Sequence, residues 1–288
     1  HATGTATGIS RGLSDAGICY RERHDGRAAG IARRMTYCVG MLVEEGLAMI
    51  ADTRTNAGVD SISTYRKLHV VDRPGERVLG VCTAGNLSVT QTALAMAREG
   101  VRLNVGEPAE TLETAPTLFR CAQILGHALR SVRLSIAPAL EADSLNTSAS
   151  MLLGGQINGG QMGLFLIYSQ GNFIECGQDT PYLQIGELKY GKPILESGLA
   201  FDSSLAEAVK LGLISFSTTM RSNVGVGAPF DALTLRRDYF SGDQRRLEQD
   251  DSYFADLHLR WTQAQAAARR SMPEPPWMKR PRPSAVEG

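Results

Sequence analysis

The hydrophobic pattern of the chain begins abruptly at Met35. Tyr37-Cys38-Val39-Gly40-Met41-Leu42-Val43 is a short apolar run, Glu44-Glu45-Gly46 supplies turn chemistry, and Leu47-Ala48-Met49-Ile50-Ala51-Asp52 is a second run. Two such runs around a glycine-bearing turn predict a β-hairpin of largely buried strands. Residues 66–71 and 77–83 predict two more strands across the turn Asp72-Arg73-Pro74-Gly75. The period then changes. Leu87, Ala93, Leu94 and Ala97 mark one helical face behind a cap at Asn86-Leu87-Ser88, and Gly100 ends it. A longer helix is predicted over 117–140, with Leu118, Cys121, Ile124, Leu125, Leu129 and Val132 on one side. Strands return at 147–157, 163–169 and 172–176, helices at 190–199 and 203–220, a strand at 230–235 and a polar helix at 251–270. This order predicts a layered α+β fold with paired helices, not a strictly alternating βαβ fold.

Both ends of the chain lack such a pattern. Residues 1–34 hold six Gly, six Ala and six Arg with no period of 2 or 3.6, so they cannot bury a face. No continuous apolar segment there fits a secretory signal. From Ser271 onward stand five of the twelve prolines, which predict an extended tail, and Trp277 among them has the character of a docking residue. The domain reading is therefore a leader over 1–35, one domain over 36–270 and a Pro-rich tail over 271–288.

Composition narrows the function classes. With 288 residues, 43% hydrophobic and 21% charged, a sizeable core is expected. Thirty basic and thirty acidic residues give a net charge of zero, which offers no electrostatic case for nucleic acid. No apolar run approaches the roughly 20 residues that span a bilayer, so no membrane is expected as a partner. Five scattered cysteines without a C-x-x-C pair fit a reducing compartment, hence a cytoplasmic protein. The five histidines have no ligand spacing, and no metal or cofactor is expected.

Two motifs fail on context. Gly8-Ile9-Ser10-Arg11-Gly12 matches the G-x-S-x-G elbow but has neither a strand before it nor a helix after it. Gly154-Gly155-Gln156-Ile157-Asn158-Gly159-Gly160 lacks the lysine of a phosphate loop and lies between strand-like runs, as a hairpin turn would.

The chemistry gathers at the first hairpin. A threonine hydroxyl needs a base, and a threonine at a chain start can use its own α-amine, whose pKa of about 7.7–8.0 is near working pH. Thr36 opens the first strand, and the antiparallel return of the hairpin brings Asp52 back beside it. Lys67, in Tyr65-Arg66-Lys67-Leu68, can bridge Asp52 to the Thr36 hydroxyl and lower its pKa. Cys38 and Cys82 are rival nucleophiles without a histidine beside them, and read as small buried hydrophobes.

Met35-Thr36-Tyr37-Cys38-Val39-Gly40, Met49-Ile50-Ala51-Asp52-Thr53-Arg54-Thr55 and Tyr65-Arg66-Lys67-Leu68 resemble a proteasome-type β-subunit, more narrowly the bacterial proteasome-related Anbu proteins. The resemblance runs from Thr36 to roughly Leu235 in element order. It implies an N-terminal-nucleophile (Ntn) hydrolase, a four-layer αββα sandwich, with Thr36 as nucleophile and Asp52 and Lys67 as supports. It also implies an oxyanion-binding backbone N–H near Cys82, where the proteasome pattern has glycine. Glu187 stands in place of a serine, and Ser222 and Gly225 stand near a later aspartate and serine; Glu187 and Ser222 are thereby implied as supports.

Two function classes follow. One is a threonine hydrolase of peptide or other amide bonds acting through an acyl-enzyme, with a small-molecule amidase as a variant. The other is a non-catalytic ring-forming subunit with an assembly or binding role. Self-association in a ring or open helical ring is expected in either case, with Leu211, Leu213, Ile214 and Phe216 as an exposed apolar side and the 251–270 helix and tail crossing a neighbour. A peptide or protein substrate is the expected partner, and nothing in the sequence identifies an unfoldase. The functional chain is expected to begin at Thr36, with residues 1–34 absent, because an amide nitrogen cannot act as a base.

Overall fold

The computed structural model of the chain describes residues 36–56, 62–142 and 146–278. The leader and its G-x-S-x-G match, and the last ten residues of the tail, lie outside the described residues. In chain order the elements are β1 (Tyr37–Val43), β2 (Gly46–Asp52), β3 (Arg54–Asn56), β4 (Ile62–Thr64), β5 (Leu68–Arg73), β6 (Arg77–Gly85), α1 (Leu87–Glu99) and α2 (Leu118–Ala142). There follow β7 (Ala149–Ile157), β8 (Gly163–Ile167), β9 (Phe173–Glu175), β10 (Tyr182–Gly186), α3 (Lys192–Gly198), α4 (Leu205–Ser222), β11 (Phe230–Arg236), β12 (Gly242–Leu247) and α5 (Ser252–Ser271). The described residues are thus mixed α+β with antiparallel sheets. One sheet has the order β10-β1-β2-β11-β12, a second β5-β6-β7-β8-β9, and β3-β4 form a small hairpin.

The unbroken apolar character of β1 follows from having both faces covered. Tyr37, Val39, Met41 and Val43 point into a core shared with α3, α4 and β11, around Leu195, Leu213, Phe216 and Phe230. The alternate residues Cys38 and Leu42 point the other way, into a core formed between the two sheets with Leu47, Met49, Leu152, Leu164 and Leu233. A third core lies on the far face of the second sheet, where Val89, Leu94, Ile124 and Leu129 of α1 and α2 meet Leu79, Met151 and Leu153. Period-2 alternation is therefore present, but each side is apolar and the sequence shows a run. The sheets approach closely because strand glycines face large side chains: a Cβ at Gly80 would come within 2.8 Å of Met49 Sδ and Leu233 Cδ2, and one at Gly154 within 2.8 Å of Leu47 Cδ2.

Several sequence expectations are corrected here. Leu211, Leu213, Ile214 and Phe216 are not an exposed apolar side; all four are buried within the chain, Phe216 completely. Trp277, by contrast, is 82% exposed in a 3-10 turn, Pro276–Met278, and stays available to a second chain. Strands β10 and β12 and the β3-β4 hairpin were not predicted, and β10 turns out to be the neighbour of β1. The Gly154–Gly160 stretch behaves as read, ending β7 and turning into β8.

Candidate active site

Thr36 lies just ahead of β1 and is half-buried. Its carbonyl accepts the Glu187 N–H at 2.7 Å. The following residue is fixed at both ends. The Tyr37 N–H donates to Asp52 Oδ1 at 3.0 Å, while its phenol accepts Gln184 Nε2 at 2.6 Å and lies 3.0 Å from Ser215 Oγ. Ser215 in turn donates to the Gly212 carbonyl of α4. Burial pushes the Tyr37 phenol far above its ordinary pKa, so it stays a neutral hydrogen-bonding group. Its ring centroid is 4.5 Å from that of Phe216, which packs on Phe230 at 4.9 Å, and Phe230 on Phe254 at 5.0 Å. Each such aromatic pair contributes about 0.5–1.5 kcal/mol beyond its buried area. The start of β1 is therefore anchored to α4, β11 and α5.

Asp52 and Lys67 are brought together as the hairpin geometry implies. Lys67 Nζ donates to Asp52 Oδ1 at 2.8 Å and to the Arg54 carbonyl at 2.6 Å, and both side chains are buried. One carboxylate oxygen thus receives the lysine and the Tyr37 amide, which ties Lys67 to the residue beside Thr36. Burial pushes the Asp52 carboxyl up to about 6, against the opposing pull of the Lys67 charge and hydrogen bond, the Tyr37 N–H and the Gly227 N–H. Oδ2 has no hydrogen bond of full geometry among the described residues.

That elevated value has a testable sign. The folded chain binds this proton more tightly than an unfolded carboxyl at about 3.8 does. The linkage favours the folded state at low pH, and the advantage is lost as pH rises from about 4 to about 6. Urea midpoints of wild type and Asp52→Asn, compared across that window, should show a fall with pH in the wild type that the variant lacks. Parallel profiles would show that Asp52 is not a desolvated acid.

Glu187, whose N–H is bonded to the Thr36 carbonyl, is also buried. Its Oε2 accepts Asn223 Nδ2 at 3.0 Å and its Oε1 accepts the Lys189 N–H at 2.9 Å. Asn223 follows α4 and was missed by sequence reasoning; Ser222, the residue expected there, is exposed on the last turn of the helix. Gly186 explains how β10 comes so near. Its φ is 82°, and a Cβ there would strike the carbonyl of Thr36. Gly186→Ala should therefore lower stability by about 1–3 kcal/mol, by left-handed backbone cost and overpacking together. Chemical denaturation checks it, and an unchanged midpoint would remove the close approach as the reason for the glycine.

Cys82 is corrected as the position of an oxyanion donor. It lies inside β6, completely buried and paired with Leu68 of β5 on one side and Leu152 of β7 on the other. A backbone N–H there is committed to the ladder. The Thr83 N–H donates to the Lys67 carbonyl, and the Asn86 N–H to the Ser148 carbonyl on the opposite side. Strand alternation then points the Gly85 N–H to the same side as that of Thr83, past Lys67 and beyond the end of β5. Gly85 (φ 101°) is exposed and directly precedes Asn86, the cap of α1. The signal was present in Ala84-Gly85-Asn86, a glycine immediately before a cap. Cys38 and Cys82 are buried neighbours, and burial with the adjoining thiol raises the Cys38 pKa well above its ordinary value, which suits a packing role. No group of three or more His, Cys, Asp or Glu among the described residues is arranged to hold a metal ion.

Comparison with known proteins follows the same lines. Neither a protein-family model nor a curated protein matches the sequence. Solved structures do. Anbu (ancestral β-subunit) from Yersinia bercovieri is 42% identical, with a TM-score of 0.74 over 83% of this chain and 99% of that one. Anbu from Hyphomicrobium sp. strain MC1 is 43% identical, with a TM-score of 0.74 over 83% and 99%. A chain of the helical assembly of the Anbu complex from Pseudomonas aeruginosa is 39% identical, with a TM-score of 0.77 over 85% and 100%.

Proposed function

The chain belongs to the Anbu family of proteasome-related ancestral β-subunits, and from that premise we propose that it is an Ntn hydrolase cleaving peptide or other amide bonds through an acyl-enzyme on Thr36. The observation that carries this reading is the buried Lys67–Asp52 pair bonded to the amide next to Thr36. The two sheets with a shared core between them and helices against their outer faces fit the four-layer αββα sandwich of that class.

In this mechanism the Thr36 α-amine takes the proton of its own hydroxyl while Oγ attacks the substrate carbonyl carbon. The charged Lys67, held by Asp52, favours the alkoxide that develops, and the Gly85 N–H donates to the oxyanion. The carbon–nitrogen bond then breaks, the leaving amine takes the proton from the ammonium, and an ester on Thr36 remains. Water, deprotonated by the same amine, releases the acid and regenerates the hydroxyl. Such chemistry requires Thr36 to be the first residue, with the leader removed. Intact-mass measurement of active protein tests this: a chain starting at Thr36 is expected, and activity from a chain that retains residues ahead of it would defeat the mechanism.

The working form in this reading is a cytoplasmic homo-oligomer, either a ring or an open helical ring. Among the described residues no helix is long and apolar enough to cross a membrane. Exposed Tyr253 and Leu259 on α5, with Met272, Trp277 and Met278 after it, supply the apolar surface for a second copy in place of the buried α4 residues. A solution mass of one chain at micromolar concentration would rule that out.

A further inference from the structure

Glu187 is the one buried acid bonded to Thr36 among the described residues, and the proposed mechanism does not use it. It is 9% exposed, its own N–H is bonded to the Thr36 carbonyl, and both donors to its carboxylate, Asn223 Nδ2 and the Lys189 N–H, are neutral. Among the described residues no lysine, arginine or histidine forms an ion pair with it. A buried carboxylate without a cation is costly and calls for one. The loop that holds it also fixes its position. Asn223 Oδ1 accepts the Gly225 N–H, and two residues on, the Gly227 N–H acts on Asp52. Residues 223–227 thus engage both acids, and Glu187 stands opposite Thr36 across the β10–β1 pair, one step beyond Tyr37↔Gly186.

We propose that Glu187 is the counter-ion and positioning residue of the Thr36 α-ammonium. This rests on the reading of Thr36 as the first residue of the working chain. A carboxylate next to an ammonium favours the charged form, so the amine should hold its proton to higher pH than a free chain terminus. The amine would then act as a base on the alkaline side of neutrality, and Asn223 would serve by keeping the carboxylate turned toward it. The other charged side chains on the surrounding elements are Asp52 on β2, Lys67 ahead of β5, Arg54 on β3, Lys189 beyond β10 and Arg221 at the end of α4. Asp52 and Lys67 offset each other. All five are unchanged in a Glu187 variant, so a comparison isolates the one carboxylate.

The test is the pH dependence of reductive methylation of the α-amine, read by mass spectrometry on the chain that begins at Thr36, whose described residues hold all three cores. Wild type should titrate above the free-terminus range of about 7.7–8.0. Glu187→Gln should lower the value by about one unit, a tenfold loss of proton affinity, and Glu187→Asp should retain most of the rise. Wild type and Glu187→Gln titrating alike would overturn the proposal. If the glutamine variant does not fold, a wild-type value at or below the free-terminus range overturns it equally. Failure of the hydrolase reading shows separately, as an absence of acyl adduct on Thr36 in a protein whose amine still titrates.

Discussion

Thr36→Ala is expected to abolish amide hydrolysis, with a loss on the order of 10⁴-fold or more, since one member of a catalytic unit usually costs nearly as much as the whole. The fold should survive. Thr36 is half-buried, and the hydrogen bond that it makes with Glu187 uses its backbone carbonyl, which alanine keeps. Stability should therefore stay within about 0.5 kcal/mol of wild type. Thr36→Ser, which keeps both the hydroxyl and the amine, should retain measurable turnover. Hydrolysis of a peptide mixture by the alanine variant at the wild-type rate would show that another residue is the nucleophile, or that a contaminant is at work.

Lys67→Met should damage both activity and stability, and the two effects can be separated. Lys67 is the cation bonded to Asp52, and neither group reaches solvent to any extent. Breaking a buried pair from one side leaves the other charge uncompensated, at about 3–5 kcal/mol. Asp52 already titrates near 6, so part of that cost is relieved by its taking up a proton. The loss should therefore fall near the lower figure. Asp52→Asn combined with Lys67→Met removes both charges and should recover stability to within about 1 kcal/mol of wild type. Neither the single nor the double variant should form an acyl-enzyme at an appreciable rate. Guanidinium unfolding of the three proteins measures this. Equal destabilisation in the single and double variants would mean that Lys67 matters for packing and not for its charge.

The parts of this molecule that could be read from sequence are those whose geometry is local. The β1-β2 hairpin was legible from two apolar runs about Glu44-Glu45-Gly46, and once it is granted the nearness of Asp52 to Thr36 follows from strand pairing alone. The helices carried their period, and α1 its cap at Asn86. What escaped depends on partners distant in sequence. β10 is five residues long and contains Gln184; it owes its place to β1 and to the bond from Gln184 to the Tyr37 phenol, 147 residues away. β12, Gly242-Asp243-Gln244-Arg245-Arg246-Leu247, is a polar outer strand whose only pairing among the described residues is with β11, so no apolar alternation announces it. Asn223 finds Glu187 across 36 residues by standing at the end of α4, and a helix end is uncertain by a residue or two from sequence. The proposed oxyanion donor lies three residues beyond Cys82, at Gly85, because β6 runs on to Gly85 and commits the Cys82 N–H to its ladder. The apolar run in α4 reads as a surface only if the helix has a single buried face, whereas it is covered by a sheet on one side and by α3 and α5 on others.

The most direct test of Thr36 as a terminal nucleophile is an epoxyketone, a probe that closes a ring only with a hydroxyl and a free amine on the same residue. Mass mapping after treatment of the native protein should find a single adduct, on the peptide that begins with Thr36, formed through both its nitrogen and its Oγ. The adduct should be absent from Thr36→Ala. A native protein that stays unmodified under saturating probe, or one modified at a cysteine and not at Thr36, would contradict the assignment.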